Sequence, residues 1–402
     1  MYKKLFPLLL ILCAGCVSEQ TEDLPEHLKG IENLITYPEN QKPTGEIELT
    51  RELSFTDTEE VFFGRLVDNI AVDDSGRVFI GEIEENTIHV FGSDGSHLQS
   101  FGRRGQGPGE FQHIRDFKIG DGAIHVLDSQ RSRITLFDIN TFEYVGVHDV
   151  SLQNKPDNQP QWLEFTREEQ LFYRPSKLFV RPDGTYFILF YDESVGALDN
   201  LEGRTHEVSI YVGDVDEFQH DILSFDYTGQ IFIYDDGNAR MVIRGVPYKR
   251  SSQFDYSNGQ FVHGWSDEFL FRFYDENGQH EKAIYYPYSN QDLTLDDVFT
   301  FYEGGPDMLM NAIESDEQPD TWPAFRSLVL DDENRLWISS FTDDMDTNKW
   351  RVLDDGGRLI AIFEWPGNRD LKEVKNGYAY TIELDRETGE QNVVKYKVDL
   401  DI

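Results

Sequence analysis

A repeated pattern of short alternating segments runs through most of this 402-residue chain and limits the folds it can adopt. The clearest copy is IAVDDSGRVFIGEIEENTIHVFGSDGSHLQSFG (70–102), and FKIGDGAIHVLDSQRSRITLFDINTFEYVGVHDV (117–150) follows it. When the two are aligned, Gly76 matches Gly122 and Phe91 matches Phe137. Each copy predicts four short strands, because apolar and polar residues alternate with a period of two and turn residues separate the segments.

Weaker copies of the unit continue towards the C-terminus, at 178–190, 254–286, 328–365 and 373–398. Four-stranded units repeated about six times predict an all-β fold, a six-bladed β-propeller, since each unit must bury its faces against its neighbours and the ring must close. The last unit is one strand short. The segment GEIELTRELSF (45–55) is predicted to complete it and to join the two ends of the chain.

The number of blades is left open by one further segment. FDYTGQIFIYDD (225–236) is another turn followed by a strand pattern, close to the next copy of the repeat. We interpret it as outer strands of a long third blade, with a seventh blade as the alternative. Residues 292–314 could hold one short helix.

The segment between the first two units resembles a known family. FGRRGQGPGEF (101–111) resembles the joint between blades in NHL-type six-bladed propellers, and DSQRSRITLFD (128–138) resembles a strand pair of that family. Over the rest of the chain the resemblance is architectural. It implies a rigid ring with loops on two faces. Some NHL-type propellers are enzymes, such as amidating lyases with metal-bound histidines, but no matched set of catalytic residues extends to this sequence.

The N-terminus has the pattern of a secretory signal, in which two lysines precede the apolar run LFPLLLIL (5–12). Ala14-Gly15-Cys16 resembles a bacterial lipobox, a site frequent in propeller lipoproteins of Bacteroidetes-type bacteria. The resemblance implies a signal peptide over 1–15 and lipid attachment at Cys16. It also implies a place in the cell envelope, at the outer membrane, with the periplasmic or surface face left open. An ordinary secretory signal is the alternative.

The polar, acidic stretch after the lipobox predicts a disordered tether over 16–44, followed by the propeller over 45–402. Both cysteines lie within the first sixteen residues, so none is available for a disulfide or a thiol nucleophile in the propeller. With 36 Lys and Arg against 75 Asp and Glu, the net charge is −39. Such a field disfavours nucleic acid and anionic lipid surfaces. We expect a monomer that meets the membrane only through its lipid.

The glycine-rich segment GQGPGE (105–110) does not satisfy the requirements of a nucleotide loop. A Walker loop needs Lys and then Ser or Thr after its last glycine, whereas Glu110 and Phe111 stand there. The glycines and proline are predicted to shape a turn. Anion capture by the loop amides with Arg103 and Arg104 is the alternative. A predicted binding face combines residues of this joint and of the second unit's turn: Arg103, Arg104, Asp128, Arg131 and Arg133.

The acidic segment TDDMDTNKW (342–350) places Asp344, Asp346 and Asn348 at the alternating spacing of a calcium loop. It lacks the glycine and the final glutamate that an EF-hand requires, so a solvated hairpin loop is favoured. No cofactor is predicted, and Ca²⁺ is the weaker alternative.

Other catalytic motifs are missing from the sequence, including HExxH and GxSxG. His89 and His125 occupy different points of consecutive units, which argues against a metal shared between them at the ring axis. Blade packing is the expected role of four tryptophans, with a sugar- or peptide-binding surface as the alternative: Trp162, Trp265, Trp322 and Trp337. The function expected is a binding or scaffolding module for a protein, small molecule or glycan. The alternative is a metal-dependent lyase or hydrolase acting at the central channel.

Overall fold

The computed structural model describes residues 24–58, 61–151, 173–192, 205–212, 217–226, 229–235, 240–344, 346–385 and 387–402. These residues form a β-protein with one 3-10 helix (Glu26–Leu28) and two short α-helices, α1 (Leu295–Phe301) and α2 (Asp307–Ser315). The strands in chain order are β1 (Leu34–Thr36), β2 (Glu46–Phe55), β3 (Leu66–Val72), β4 (Val78–Glu82), β5 (Thr87–Phe91), β6 (His97–Phe101), β7 (Ile114–Gly120), β8 (Ala123–Asp128), β9 (Arg133–Asp138), β10 (Tyr144–Asp149), β11 (Tyr173–Val180), β12 (Tyr186–Asp192), β13 (Thr205–Val212), β14 (Glu217–Asp226), β15 (Gln230–Asp235), β16 (Arg240–Gly245), β17 (Ser252–Ser257), β18 (Gln260–Trp265), β19 (Phe269–Tyr274), β20 (His280–Tyr286), β21 (Ser327–Leu330), β22 (Leu336–Phe341), β23 (Thr347–Leu353), β24 (Leu359–Pro366), β25 (Arg369–Lys375), β26 (Tyr378–Leu384) and β27 (Gln391–Asp401).

Six of the sheets formed by these residues are the blades of a propeller, which confirms the predicted fold. They contain β3–β6, β7–β10, β11–β14, β17–β20, β21–β24, and β25–β27 with β2. The first strands of neighbouring blades contact each other around the ring, from β25 to β3, β7 and β11 and from β17 to β21 and β25. Blades three and four join through Phe179 and Phe187, which pack on Phe254 and Phe261. The six first strands therefore surround one axis.

The ring closes through pairing of the two ends of the propeller, as the sequence predicts. Strand β2 lies antiparallel to β27, in a register that runs from Glu46 opposite Asp401 to Phe55 opposite Val393. Its alternating apolar residues, Ile47 and Leu49, pack against the neighbouring fifth blade's cluster. Because the N-terminal strand covers the outer edge of β27, the last blade has the same four strands as the others.

The predicted disordered tether is wrong for residues 24–44, which are most of its length. Strand β1 pairs in parallel with β20 and becomes the fifth strand of the fourth blade. Leu28 is only 1% exposed and packs against Leu270 and Tyr285 of that blade. A three-residue strand is too short to show an alternating pattern, so it could not be predicted from the sequence. The predicted signal peptide and residues 16–23 lie outside the described residues.

The interpretation of 225–236 as outer strands of the third blade is correct only for its beginning. Strand β14 is indeed the last strand of that blade. Strand β15 instead pairs with β16 in a separate two-stranded sheet, whose Ile231 and Ile233 pack with Val298 of α1 and Ile313 of α2. The described strands thus form six blades plus this hairpin. The single helix expected over 292–314 is two helices, and no described helix is long and apolar enough to cross a bilayer.

Aspartates hold many of the hairpin turns. In the turns DDSGR (73–77), DDENR (331–335) and DDGGR (354–358), the first aspartate accepts a 2.8 Å hydrogen bond from the arginine amide four residues later. The same carboxylate pairs with that arginine's guanidinium at 2.6 to 2.9 Å. A carboxylate that bonds its own turn amides favours the turn conformation. Part of the chain's excess of acidic residues therefore consists of aspartates that stabilise turns.

Candidate functional site

The axial channel is lined by all six first strands and contains two cavities that share lining residues. The amino-side cavity, of about 130 Å³, lies where these strands begin and includes Asp68, Asp116 and Lys177 in its walls. The carboxyl-side cavity, of about 320 Å³, lies where the strands end. Lys118 and Asp255 line both cavities, so they mark the waist of the channel.

Three charged side chains occupy the same register position in alternate blades at this waist. Lys118 of β7, Asp255 of β17 and Glu373 of β25 each stand two residues before the last pair between the first and second strands of their own blade. The other three blades have one further backbone bond before the turn, donated by Asp73, Arg181 and Asp331. Counted from these bonds, the equivalent residues are uncharged: Ala71, Phe179 and Val329. Alternation between charged and uncharged blades places the charges around the axis, separated by apolar side chains.

The waist charges change one another's protonation. Burial lowers the pKa of Lys118, but the carboxylates of Asp116, Asp255 and Glu373 outweigh it, and the net pKa is raised. Burial raises the pKa of Asp255, with Lys118 opposing it. Burial likewise raises the pKa of Glu373 to about 7. Glu373 is therefore half-protonated near neutral pH, while Lys118 stays charged.

Lys177 is the cation of the amino-side cavity that has no partner. Its ammonium makes no hydrogen bond and no ion pair within 4.0 Å with any residue that the structure describes, and its side chain is exposed to the channel. Burial among the surrounding strands lowers its pKa, and Lys118 adds to this, while Asp116 and Asp255 act in the opposite direction. Lys177 can therefore offer up to three donors to a molecule that enters the channel.

The neighbouring charged groups of this cavity are already engaged. Lys118 Nζ donates to Asn69 Oδ1 at 3.3 Å, and Lys372 forms an ion pair with Asp68. Asp116 accepts a 3.0 Å hydrogen bond from the Leu178 amide of the next blade. These contacts fix the walls of the cavity and leave Lys177 as its available charge.

The two arginines of the joint loop contact their own chain. Arg103 Nε and Nη2 donate to Glu110 Oε1 at 2.8 and 2.5 Å, and Glu110 Oε2 accepts the amides of Gln106 and Gly107. Arg104 Nη2 donates to the Glu84 carbonyl at 2.7 Å. The loop amides that could capture an anion thus bind the carboxylate of Glu110. Arg103 nevertheless keeps 78% of its side chain exposed.

The remaining residues of the predicted binding face lie beside this loop. Asp128 is fully buried and accepts the amides of Gln112 and His113 at 2.9 and 3.2 Å. Arg131 donates to the carbonyl of Gln106 at 3.2 Å, and Arg133 donates to that of Glu110. The structure therefore brings the five predicted residues together around the joint, where they bond mainly to its backbone.

The candidate calcium residues lie in and beside the β22–β23 turn. Asp344 Oδ1 accepts hydrogen bonds from the hydroxyls of Thr342 and Thr347 at 2.7 and 2.8 Å, and these bonds lower its pKa. Asp346 lies in the same turn, where its amide donates to Asp344 at 3.1 Å. Asn348 is 3% exposed and belongs to strand β23. The described residues contain no group of three or more His, Cys, Asp or Glu side chains arranged to hold a metal ion.

The two histidines considered for an axial metal lie away from the axis, each within its own blade. His89 of β5 bonds Ser100 at 2.7 Å, and burial lowers its pKa to about 4. His125 of β8 bonds the Tyr186 hydroxyl and the Gly120 carbonyl, both at 2.9 Å, and burial lowers its pKa. Neither residue lines the channel cavities.

The tryptophans considered for a binding surface differ in their burial. Trp337 is fully buried and Trp322 is 2% exposed, whereas Trp265 is partly buried. Trp322 packs against Phe341 at 4.7 Å between ring centroids. Trp162 lies outside the described residues.

The channel residues were not predicted, because the repeated units were aligned on their turns and outer strands and not on their first strands. A signal was present in the first strands. Lys118 in FKI and Asp255 in FDY each stand between apolar neighbours close to a turn, and Glu373 stands at the matching place in the charged strand LKEVK. A charge between apolar residues of a strand is costly unless it faces water or a partner, so charges at one position of alternate repeats indicate an axial position.

Comparison with known proteins supports the same architecture. Residues 53–239 match the family model DUF5128, described as a 6-bladed beta-propeller. No curated protein matches this chain in sequence. The NHL-type resemblance of the joint stays a prediction.

Two solved structures resemble the chain over nearly its whole length. One, from Bacteroides fragilis, is described as a "putative exported protein". It is 12% identical, with a TM-score of 0.51, and the match covers 92% of this chain and 100% of that one. The other is a member of the duf4221 family from Bacteroides vulgatus. It is 13% identical, with a TM-score of 0.52, and the match covers 89% and 99% of the two chains. At these identities the similarity shows the shared fold alone.

Proposed function

We propose that this protein is a lipid-anchored propeller of the cell envelope that binds an anionic group in the amino-side cavity of its channel. The unpartnered ammonium of Lys177 is the observation that carries the proposal. A cation held among the strands of a narrow channel loses part of its hydration, and an ion-pair partner would compensate for that loss. An incoming anion would supply that partner.

The size and surroundings of the cavity define the ligand chemistry. A volume of about 130 Å³ suits one charged group, such as a carboxylate or a phosphate, and a larger ligand would place only its charged end inside. Lys118 and Lys372 reinforce the positive field on the same side of the waist, although each is already engaged. Asp116 and Asp68 hold the walls and limit how much negative charge the cavity accepts.

The envelope location rests on the N-terminal sequence and on one comparison. The lipobox-like Ala14-Gly15-Cys16 follows a charged start and an apolar run. The similar structure from Bacteroides fragilis is described as exported, which agrees with that reading. In this arrangement the lipid at Cys16 attaches the propeller to the membrane, and the channel stays accessible to envelope ligands.

The joint loop is the second surface through which such a module could contact a partner. Arg103 remains 78% exposed while paired with Glu110, and Arg104 lies beside it. An acidic partner protein could compete for these guanidinium groups without disturbing the channel. Capture of envelope proteins by the wild type, compared with an Arg103→Ala, Arg104→Ala double variant, tests this surface.

The channel site is tested with purified full-length protein in detergent. Its melting temperature is measured against inorganic phosphate and against malonate, with sodium chloride matched in ionic strength. We expect both anions to raise Tm in a concentration-dependent manner for the wild type, and Lys177→Gln to remove the response. Lys42→Gln, which neutralises an exposed lysine outside the channel, serves as the control. Equal responses of the wild type and Lys177→Gln would overturn the proposal.

The anchor and the enzyme alternative have separate tests. Cys16→Ala should abolish lipid modification and release the protein from the membrane fraction. Unchanged membrane association would contradict the anchor. Elemental analysis for calcium and zinc addresses the alternative of a metal-dependent lyase or hydrolase. A stoichiometric metal whose removal by chelator lowers Tm would favour that alternative over a pure binding module.

A further inference from the structure

Another cavity, separate from the two channel cavities, lies between the fourth and fifth blades and has a volume of about 230 Å³. None of its lining residues belongs to a first strand or to either channel cavity. Strands β19, β20, β23 and β24 supply its walls, and Glu39 and Gln41 of the N-terminal segment lie at its edge. The walls are mainly apolar or aromatic: Phe269, Tyr286, Tyr288, Leu353, Leu359 and Ile362.

Arg351 is the cation of this cavity and lacks an acidic partner, while Glu39 at the cavity edge is the carboxylate among the lining residues. Its Nη1 donates to Ser340 Oγ at 3.0 Å, and its guanidinium carbon lies 5.1 Å from the ring centroid of Phe269 and 5.6 Å from that of Tyr288. No carboxylate that the structure describes lies within 4.0 Å of it. The turn arginines, by contrast, pair with aspartates in the same chain.

The arrangement leaves most of the guanidinium's hydrogen-bonding capacity unused. A guanidinium has five N–H donors in a planar fork, and one of them is occupied by Ser340. The adjacent rings of Phe269 and Tyr288, whose centroids are 4.5 Å apart, support its face. The free donors match the two oxygens of a carboxylate, which binds such a fork in a bidentate manner.

We infer that this cavity binds a small carboxylic acid with an aromatic or apolar body, held by Arg351 through its carboxylate. The carboxylate would supply the partner that a partly buried arginine lacks, and the body would contact Leu353, Leu359 and Ile362. Ile362 is 38% exposed in the free protein, so a ligand would cover apolar surface that now faces water. The inference is independent of the channel site, because the two cavities share no residue.

Phenylacetate and 2-phenylethanol are suitable probes, since they share an aromatic body and differ in charge. Calorimetric titration of the full-length protein should show phenylacetate binding at least tenfold more tightly than 2-phenylethanol. Arg351→Gln should remove that preference, whereas Arg358→Gln, which neutralises an exposed arginine of the same blade, should keep it. Lys177→Gln should also keep it, so that failure of this site and failure of the channel site are distinguishable.

Ile362→Trp protects the test against a folding defect in the arginine variant. The larger side chain, at a partly exposed position, should fill the cavity and abolish phenylacetate binding while leaving Arg351 and the melting temperature intact. Equal affinity of the wild type for both probes would overturn the inference, as would undiminished phenylacetate binding by Arg351→Gln. Binding by Ile362→Trp with wild-type affinity would place the ligand elsewhere and would also overturn it.

Discussion

The carboxylate of Asp255 accepts a 2.7 Å hydrogen bond from the Leu330 amide, across the junction of the fourth and fifth blades. Asp116 and the Leu178 amide make the same kind of bond between the second and third blades, at 3.0 Å. Both carboxylates also line the channel. Two carboxylates of the channel therefore also join neighbouring blades. Ligand binding in the channel and the stability of the ring depend on the same side chains.

Replacement of Asp255 separates these two roles. Asp255→Ala removes the acceptor of the Leu330 amide and should lower the free energy of unfolding by about 1–3 kcal/mol. Asp255→Asn keeps an acceptor oxygen and should cost clearly less. Urea denaturation of both variants at pH 7 measures the difference. Equal losses would show that the charge, and not the inter-blade bond, is what stabilises the junction.

Glu373 should make the free energy of unfolding fall as pH rises. An ordinary ion-paired carboxylate, whose pKa is lowered, has the opposite effect. Burial raises its pKa from 4.5 to about 7, so the folded protein holds this proton more tightly than the unfolded chain does. The stabilisation is complete below pH 4.5 and is lost as pH rises through 7. Glu373→Gln stays neutral throughout, and its stability relative to the wild type should increase between pH 5 and pH 8, by on the order of 1–3 kcal/mol.

Chemical denaturation at four pH values across this window checks the Glu373 prediction. Glu364→Gln, which removes an exposed carboxylate from β24, controls for the change in net charge. A stability difference between Glu373→Gln and the wild type that stays constant from pH 5 to pH 8 would refute the raised pKa.

The parts of this fold that sequence could predict are those encoded locally. Turn aspartates such as Asp73 and Asp331 recur beside alternating segments, and the joint that ends at Phe111 has a recognisable motif. The unpaired segment 45–55 revealed ring closure, because the last unit lacked a strand. The turn and joint signals each lie within a few residues of chain, whereas ring closure was predicted from the number of strands in the repeat.

The candidate site depended on information that a single segment does not carry. Lys118, Asp255 and Glu373 are far apart in sequence, and they meet only because the ring brings alternate blades to one axis. Arg351 likewise needs Phe269, from another blade, to form its cavity. The contact of β1 with β20 was hidden for a different reason, since three residues are too few to show a period of two.

The ordered N-terminal segment predicts a measurable cost for truncating Leu28. Its side chain is 1% exposed against Leu270 and Tyr285, so Leu28→Ala should destabilise this contact by roughly 2–4 kcal/mol. Because β1 is a short edge strand, the segment is expected to open locally before the propeller unfolds. Faster hydrogen exchange of the Leu34–Thr36 amides in Leu28→Ala is the expected result, with a smaller increase in Leu24→Ala, whose side chain is only partly buried against the same cluster. Unchanged exchange would mean that Leu28 does not hold the segment.

Gly102 and Gly122 allow the packing of the joint to be measured against a matched control. Both have positive φ angles, +81° and +71°. A Cβ at Gly102 would lie 2.7 Å from the ring of Phe111 and 3.1 Å from the Asn86 carbonyl, whereas nothing lies within 4 Å at Gly122. Gly122→Ala should therefore cost only the backbone conformation, about 1–2 kcal/mol. Gly102→Ala should lower the free energy of unfolding by about 2–4 kcal/mol, because it also displaces the buried ring of Phe111, which packs between the first two blades. Urea denaturation of the two variants compares them directly, and equal losses would show that the joint yields to the added methyl group.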